Sequence, residues 1–331
     1  MAKAKKLPSG NYRVQAKSGG VTKSFTGPNK KLVEAEAKKW QAGLSSQVSE
    51  VITLEKAYER YISAKEEVLS PSTIRAYRSM TKTNFKELMP LKIDCITDEQ
   101  IQRAVNFLAA TTTPKTVRNN YGLLTAVLEM FNPYYKPRAR LPQKVKNEIY
   151  VPTKDDILKL LSITQGTKYY TAILLAAFCG MREGEICALT SDDVCGNKIT
   201  INKSMVRFSN GEWGTKPPKS FSGNRTTEAP DIVIEAIKDI NGRLVDCTPH
   251  SLSNGFRRIL SKNNFPKFRF HDLRHFYISE LFDLGLPEKY IIAQVGHSSS
   301  NITKAVYDHV SKAKQSAYAQ NIAAHFSTFL E

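Results

Sequence analysis

The sequence predicts a multidomain chain of the mainly α class with small β elements (α+β), and three observations carry that expectation. Apolar residues recur at helical spacing through most of the chain, and two helix starts carry Ser-Pro or Thr-Pro. Strand-like stretches are short and confined to residues 11–26 and 198–230. A Pro-rich, basic stretch without periodicity, residues 132–152, interrupts the helical pattern. With 331 residues, 41% of them hydrophobic, the chain can fill more than one core.

Residues 1–47 form the first predicted domain. "NYRVQAK" and "GVTKSFT" alternate as strands do, "SGG" between them supplies a turn, and "KKLVEAEAKKWQAGL" reads as a helix. Ten basic residues stand against two acids over residues 1–40, a charge suited to phosphate contact or to a solvated leader. Residues 52–138 read as all helix. Ser70-Pro71 and Thr113-Pro114 each set a capping hydroxyl before a proline whose missing N–H costs nothing in a first turn. Val117, Tyr121, Leu124, Leu128 and Phe131 make a buried stripe, leaving Lys115, Arg118, Asn119 and Asn120 off it for DNA or solvent. Residues 139–152 are assigned as the linker.

Residues 153–331 form the third predicted domain, opened by "TKDDILKLLSI" with its Thr cap and early acids. A strand-rich insert follows, "KITINKSMVRF" and "NRTTEAP", separated by the Gly- and Pro-containing "SNGEWGTKPPKSFSG". Helices resume at 231 and end in the amphipathic tail 317–330, whose apolar face is expected to pack on its own domain.

Charge narrows the partners. Lys and Arg number 48 against 31 Asp and Glu, a net +17 that points to a polyanion, and nucleic acid ranks above membrane because no basic amphipathic anchor helix is visible. The longest apolar run, residues 169–181, fits a buried helix and not a span. The start lacks an apolar h-region, and the five scattered cysteines fit reduced thiols, so a cytoplasmic location is expected.

"HDLRHF", residues 271–276, carries the sharpest chemistry. At about 100° per residue, His271, Arg274, His275 and Ile278 share one helix face, expected to look outward, while Leu273, Phe276, Tyr277 and Leu284 face the core. The two histidines have zinc-peptidase spacing, but Asp272 stands where the base Glu belongs and Arg274 would set a cation beside the metal. Imidazole and guanidinium together suit an anion better, since both donate and Arg grips phosphate oxygens as a fork.

Other fragments accompany it: "CGMREGEI" with Arg182, "PPKSFSGNR" with Lys219, and "VGHSSSNITKAVYDHV" with His297 and, ten residues on, Tyr307. Together Gly180-Met-Arg182-Glu-Gly-Glu185, His271-Asp-Leu-Arg274, Gly296-His297 and Tyr307 resemble, in order, the signature of the tyrosine recombinase (phage integrase) family. The match covers residues 150 to the end, and the first two segments resemble that family's arm-site and core-binding domains in plan.

The resemblance implies that Tyr307 attacks a DNA phosphate to give a 3′-phosphotyrosyl link, with Arg182 and Arg274 on the non-bridging oxygens. His271 handles the tyrosine proton, His297 bonds the phosphate and Lys219 protonates the leaving 5′-oxygen; Lys216 is the alternative acid. Glu185 is expected to hold Arg182 or a backbone group, and His275 and His309 to be bystanders. No metal or ATP is implied. The implied partners are double-stranded DNA with core and arm sites, a homo-tetramer, an accessory DNA-bending protein and a directionality factor. A type IB topoisomerase, a non-catalytic DNA-binding regulator and a zinc peptidase are the rival readings.

Overall fold

The computed structural model describes residues 3–18, 21–41, 52–133, 135–145, 150–218 and 223–296. The chain divides into two compact units, residues 1–145 and 146–331.

The first unit opens with an antiparallel sheet of β1 (Lys5–Lys6), β2 (Tyr12–Ser18) and β3 (Val21–Gly27), in the order β1-β2-β3. Val14 pairs with Phe25 and Ala16 with Lys23, so period-two alternation turns Val14 and Ala16 inward. Helix α1 (Lys30–Gln41) lays Val33 and Ala37 on that face, with Tyr12, Phe25 and Trp40 around them. β1 was not legible as a strand, because two exposed lysines carry no alternation.

Four helices follow: α2 (Leu54–Lys65), α3 (Pro71–Thr83), α4 (Asp98–Thr111) and α5 (Pro114–Phe131). Ser70 and Thr113 accept from the backbone N–H groups of Thr73 and Thr116, with Pro71 and Pro114 in the first turns, as their sequences predict. Their core joins Leu54, Tyr58, Ile101, Val105, Leu124 and Leu128. Asn120 reverses the expectation: it is buried, bonded to Asn84 Nδ2 and donating to Thr116 O, because the helix buries a wider arc than the apolar stripe. The Pro-rich stretch beyond α5 is strapped down between 135 and 142. There Tyr121 Oη donates to Pro137 O, Arg118 to Pro142 O and Gln102 to Arg140 O.

The second unit begins with α6 (Lys154–Thr164), closed by a reciprocal Thr153–Asp156 cap, and α7 (Lys168–Cys179). α7 is apolar all round and buried from Thr171 to Ala177. Short helix α8 (Glu183–Ile186) leads into β4 (Val194–Cys195), β5 (Lys198–Ile201) and β8 (Arg225–Glu228), one sheet in the order β4-β5-β8. Between β5 and β8 lies a separate hairpin of β6 (Ser204–Arg207) and β7 (Trp213–Lys216), so "KITINKSMVRF" divides between two sheets. Helices α9 (Asp231–Ile237), α10 (Pro249–Lys262), α11 (Asp272–Asp283) and α12 (Glu288–Val295) complete the described part. Among the described residues no helix is long and apolar enough to cross a membrane.

Candidate active site

The site is assembled from helix ends. Helix α7 stops at Gly180, whose φ of 62° is the left-handed conformation that glycine adopts without strain. A side chain there would also strike the Tyr277 ring, 2.3 Å from an added Cβ. Two residues on, Arg182 begins α8. Its backbone N–H donates to Glu185 Oε2 at 2.9 Å and its Nη1 to Oε1 at 2.7 Å, so Glu185 holds Arg182 by main chain and side chain together, as expected.

The other end of the clamp is α12, which closes at Gly296 with φ of 65°. The last carbonyls of a helix lack intrahelical donors and carry partial negative charge. Here two of them are taken by the predicted arginines: Arg182 Nη2 donates to Gly296 O and Arg274 Nη2 to Val295 O, both at 2.5 Å. Arg274 Nη1 also donates to Gly180 O, the left-handed cap of α7. Two glycine-ended helices therefore fix two guanidiniums side by side.

Their exposure differs. The Arg182 side chain is 34% exposed, whereas Arg274 is fully buried, with Nε unpartnered among the described residues. Burial first, and then the neighbouring Arg182, press the Arg274 pKa below its ordinary value. This corrects the expectation that the His/Arg face of α11 looks outward. Arg274, His275 and Ile278 are as buried as Leu273, because α7 and α12 both pack on α11, and Leu284, expected in the core, is 73% exposed.

His271 precedes α11 as its first capping residue and is half-buried beside a cavity of about 240 Å³ that Glu183, Ser253, Arg257 and Arg269 also line. Burial, with the His275 and Arg274 charges adding to it, lowers its pKa to about 4, so the ring is neutral at pH 7. His275 lies edge-to-face with it, ring centres 5.0 Å apart. Asp272, at the place a zinc peptidase gives its base, accepts from Arg269 through both oxygens at 2.7 Å, so it is committed to a salt bridge.

Three of the six sequence-predicted residues, Arg182, His271 and Arg274, thus come together from separate stretches of chain. Lys219, His297 and Tyr307 lie outside the described residues, as do His309 and the tail 317–330; Lys216, the alternative acid, ends β7. Sequence reasoning missed Arg225. It starts β8 and donates to Glu185 through Nη2 at 2.9 Å and Nη1 at 3.2 Å, 40 residues away in sequence, where nothing local marks it.

Residues 53–109 match the family model for the phage integrase N-terminal SAM-like domain. The chain is 25% identical to a XerC-like tyrosine recombinase of Caldanaerobacter subterraneus subsp. tengcongensis, covering 88% of each chain. It is 24% identical to a putative prophage phiRv2 integrase of Mycobacterium tuberculosis over 78% of this chain and 76% of that one. Among solved structures, the Tn1549 transposon integrase in complex with transposon right-end DNA superposes with a TM-score of 0.67, at 20% identity, over 82% of this chain and all of that one. A lambda integrase dimer bound to a COC′ core site gives 0.60 at 15% identity, over 92% and 94% of the two chains.

Proposed function

We propose, on the premise that this chain belongs to the tyrosine recombinase (phage integrase) family, the chemistry and the assignment of residues by which it breaks and rejoins DNA. It is a site-specific recombinase, an integrase of a phage or mobile element. The observation that carries the assignment is the pairing of Arg182 and Arg274 on the consecutive carbonyls of Gly296 and Val295, directly before His297.

The Tyr307 oxygen bonds to the scissile phosphorus while the bond from phosphorus to the 5′-oxygen breaks. The phenolic proton passes to His271, and Lys219 gives a proton to the departing 5′-oxygen. The ester energy stays in the 3′-phosphotyrosyl link, so the 5′-hydroxyl of a second strand reverses the step and joins to it. Arg182 is already part-exposed and meets a non-bridging oxygen directly; Arg274 does so by exchanging its bond to Val295 O for one to DNA. With two guanidiniums, an imidazole from His297 and a lysine on one phosphate, the step requires neither a divalent metal nor ATP. Lys219 is preferred to Lys216 as the acid because Lys219-Ser220 fits the family's lysine context.

The molecule works in the cytoplasm as a tetramer on paired DNA sites, residues 1–47 on arm sites and 52–138 on core sites, with a bending protein and a directionality factor as partners. A lambda integrase tetramer bound to a Holliday junction, which this chain resembles with a TM-score of 0.58, supports that assembly. The test is a nicked suicide substrate carrying the element's site. Wild-type protein becomes covalently attached, and Tyr307→Phe binds with unchanged affinity but forms no adduct. A Phe variant that still forms the adduct removes Tyr307 as the nucleophile.

A further inference from the structure

Arg225 belongs to none of the motifs that pointed to the site, yet it grips the same carboxylate as Arg182. Its guanidinium faces Glu185 with two bonds, at 2.9 and 3.2 Å, and the two side chains are 6% and 4% exposed. Arg182 takes the remaining acceptor directions through its own N–H and Nη1. Desolvating a second cation next to a carboxylate already paired carries a free-energy cost, so its presence there calls for an explanation.

The purpose follows from the charge count. Were Glu185 to serve Arg182 alone, the charges of tether and guanidinium would cancel, and the carboxylate would compete with a phosphate for that guanidinium. With Arg225 on the same carboxylate, three guanidiniums (182, 225 and 274) stand against one carboxylate, and two positive charges remain uncompensated. Arg225 Nε, like Arg274 Nε, is buried without a partner among the described residues, so neither cation is saturated.

We infer that Arg225 is a positioning residue for the phosphoryl transfer proposed above: it shares the Glu185 carboxylate so that Arg182 is held in place without being neutralised. The inference rests on that reading of the site. Arg225 itself need not touch DNA.

A charge cycle on the suicide substrate tests it, read as single-turnover adduct formation beside DNA affinity from gel shift. Arg225→Gln is expected to slow adduct formation on the order of 10- to 100-fold, as loss of an outer partner does to metal ligands, with affinity changed less than about threefold. Adding Glu185→Gln removes the carboxylate charge that Arg225 offset and keeps an acceptor for Arg182, so the double variant is expected to cleave faster than Arg225→Gln alone. A packing role would make the double variant no better. Arg225→Lys, which keeps the charge, is expected to cleave faster than Arg225→Gln and serves if the Gln variant melts early. Wild-type speed in Arg225→Gln, a double variant no faster than the single, or a folded Lys variant as slow as Gln each overturns the inference. Failure of the wild type itself to form the adduct would instead overturn the recombinase reading.

Discussion

Glu185→Ala should be among the most damaging substitutions in the second unit, and its cost can be worked from contacts. The carboxylate accepts four bonds, two from Arg182 and two from Arg225. Arg182 is a third exposed, so water replaces much of what it loses and that pair is worth at most about 1 kcal/mol. Arg225 is different. Its side chain is 6% exposed, and without Glu185 it keeps, among the described residues, only a 3.4 Å bond to Gly223 O. Stranding a buried charge costs roughly 3–5 kcal/mol, which for a unit of this size lowers the melting temperature by roughly 6–20 °C. Because the guanidiniums hold Glu185 at about 2, well below the usual carboxylate range, its contribution is complete above the unfolded carboxyl pKa of about 4.3 and is lost as pH falls through about 2. At neutral pH the whole effect is therefore visible. Calorimetry of the full chain measures it, with Glu185→Leu/Arg225→Met as the control. Removing both charges leaves nothing stranded, so the double variant should melt well above Glu185→Ala although it cannot position Arg182. A loss below about 1 kcal/mol in Glu185→Ala, or a double variant no more stable than it, would refute the claim that Arg225 is a buried charge held by this carboxylate.

Three further outcomes are expected, the first from the proposed chemistry and the other two from the structure. Lys219→Ala should slow cleavage far more with a normal 5′-oxygen than with a 5′-thiol leaving group, which needs no proton; equal slowing assigns the acid to another group, Lys216 first. Stability should fall as pH drops from about 6.5 toward 4, because the unfolded His271 binds its proton in that window while the folded ring, lowered to about 4, does not. Denaturant titrations at pH 7 and 5 should differ by about 2 kcal/mol from this residue, and His271→Gln should flatten that part of the slope. Gly180→Ala must place a Cβ at φ 62° and 2.3 Å from the Tyr277 ring, a combination expected to cost about 2–5 kcal/mol in the melting curve; a wild-type melt would mean that α7 can end another way.

How far the sequence could be read depended on whether a signal was local. Caps were legible because hydroxyl and proline adjoin the helix they start, as at Ser70, Thr113 and Thr153. The Arg182, His271 and Arg274 positions were legible because residue type and short spacing mark them. Burial of α11 was not, since periodicity on one helix cannot tell that α7 and α12 close on both of its sides. Arg225 was invisible for the same reason: its meaning lies in a carboxylate 40 residues upstream. Yet a trace of the clamp stands in the sequence. Gly180 and Gly296 read as motif letters, and physically each lets a helix end in a left-handed turn. The carbonyls there, on Gly180, Val295 and Gly296, are the ones that accept from Arg274 and Arg182. A glycine beside an arginine signature is thus evidence about guanidinium placement as well as about the turn. The consequence is a site whose cations are held by backbone carbonyls, which orient a guanidinium without cancelling its charge, and by one carboxylate, shared between two arginines.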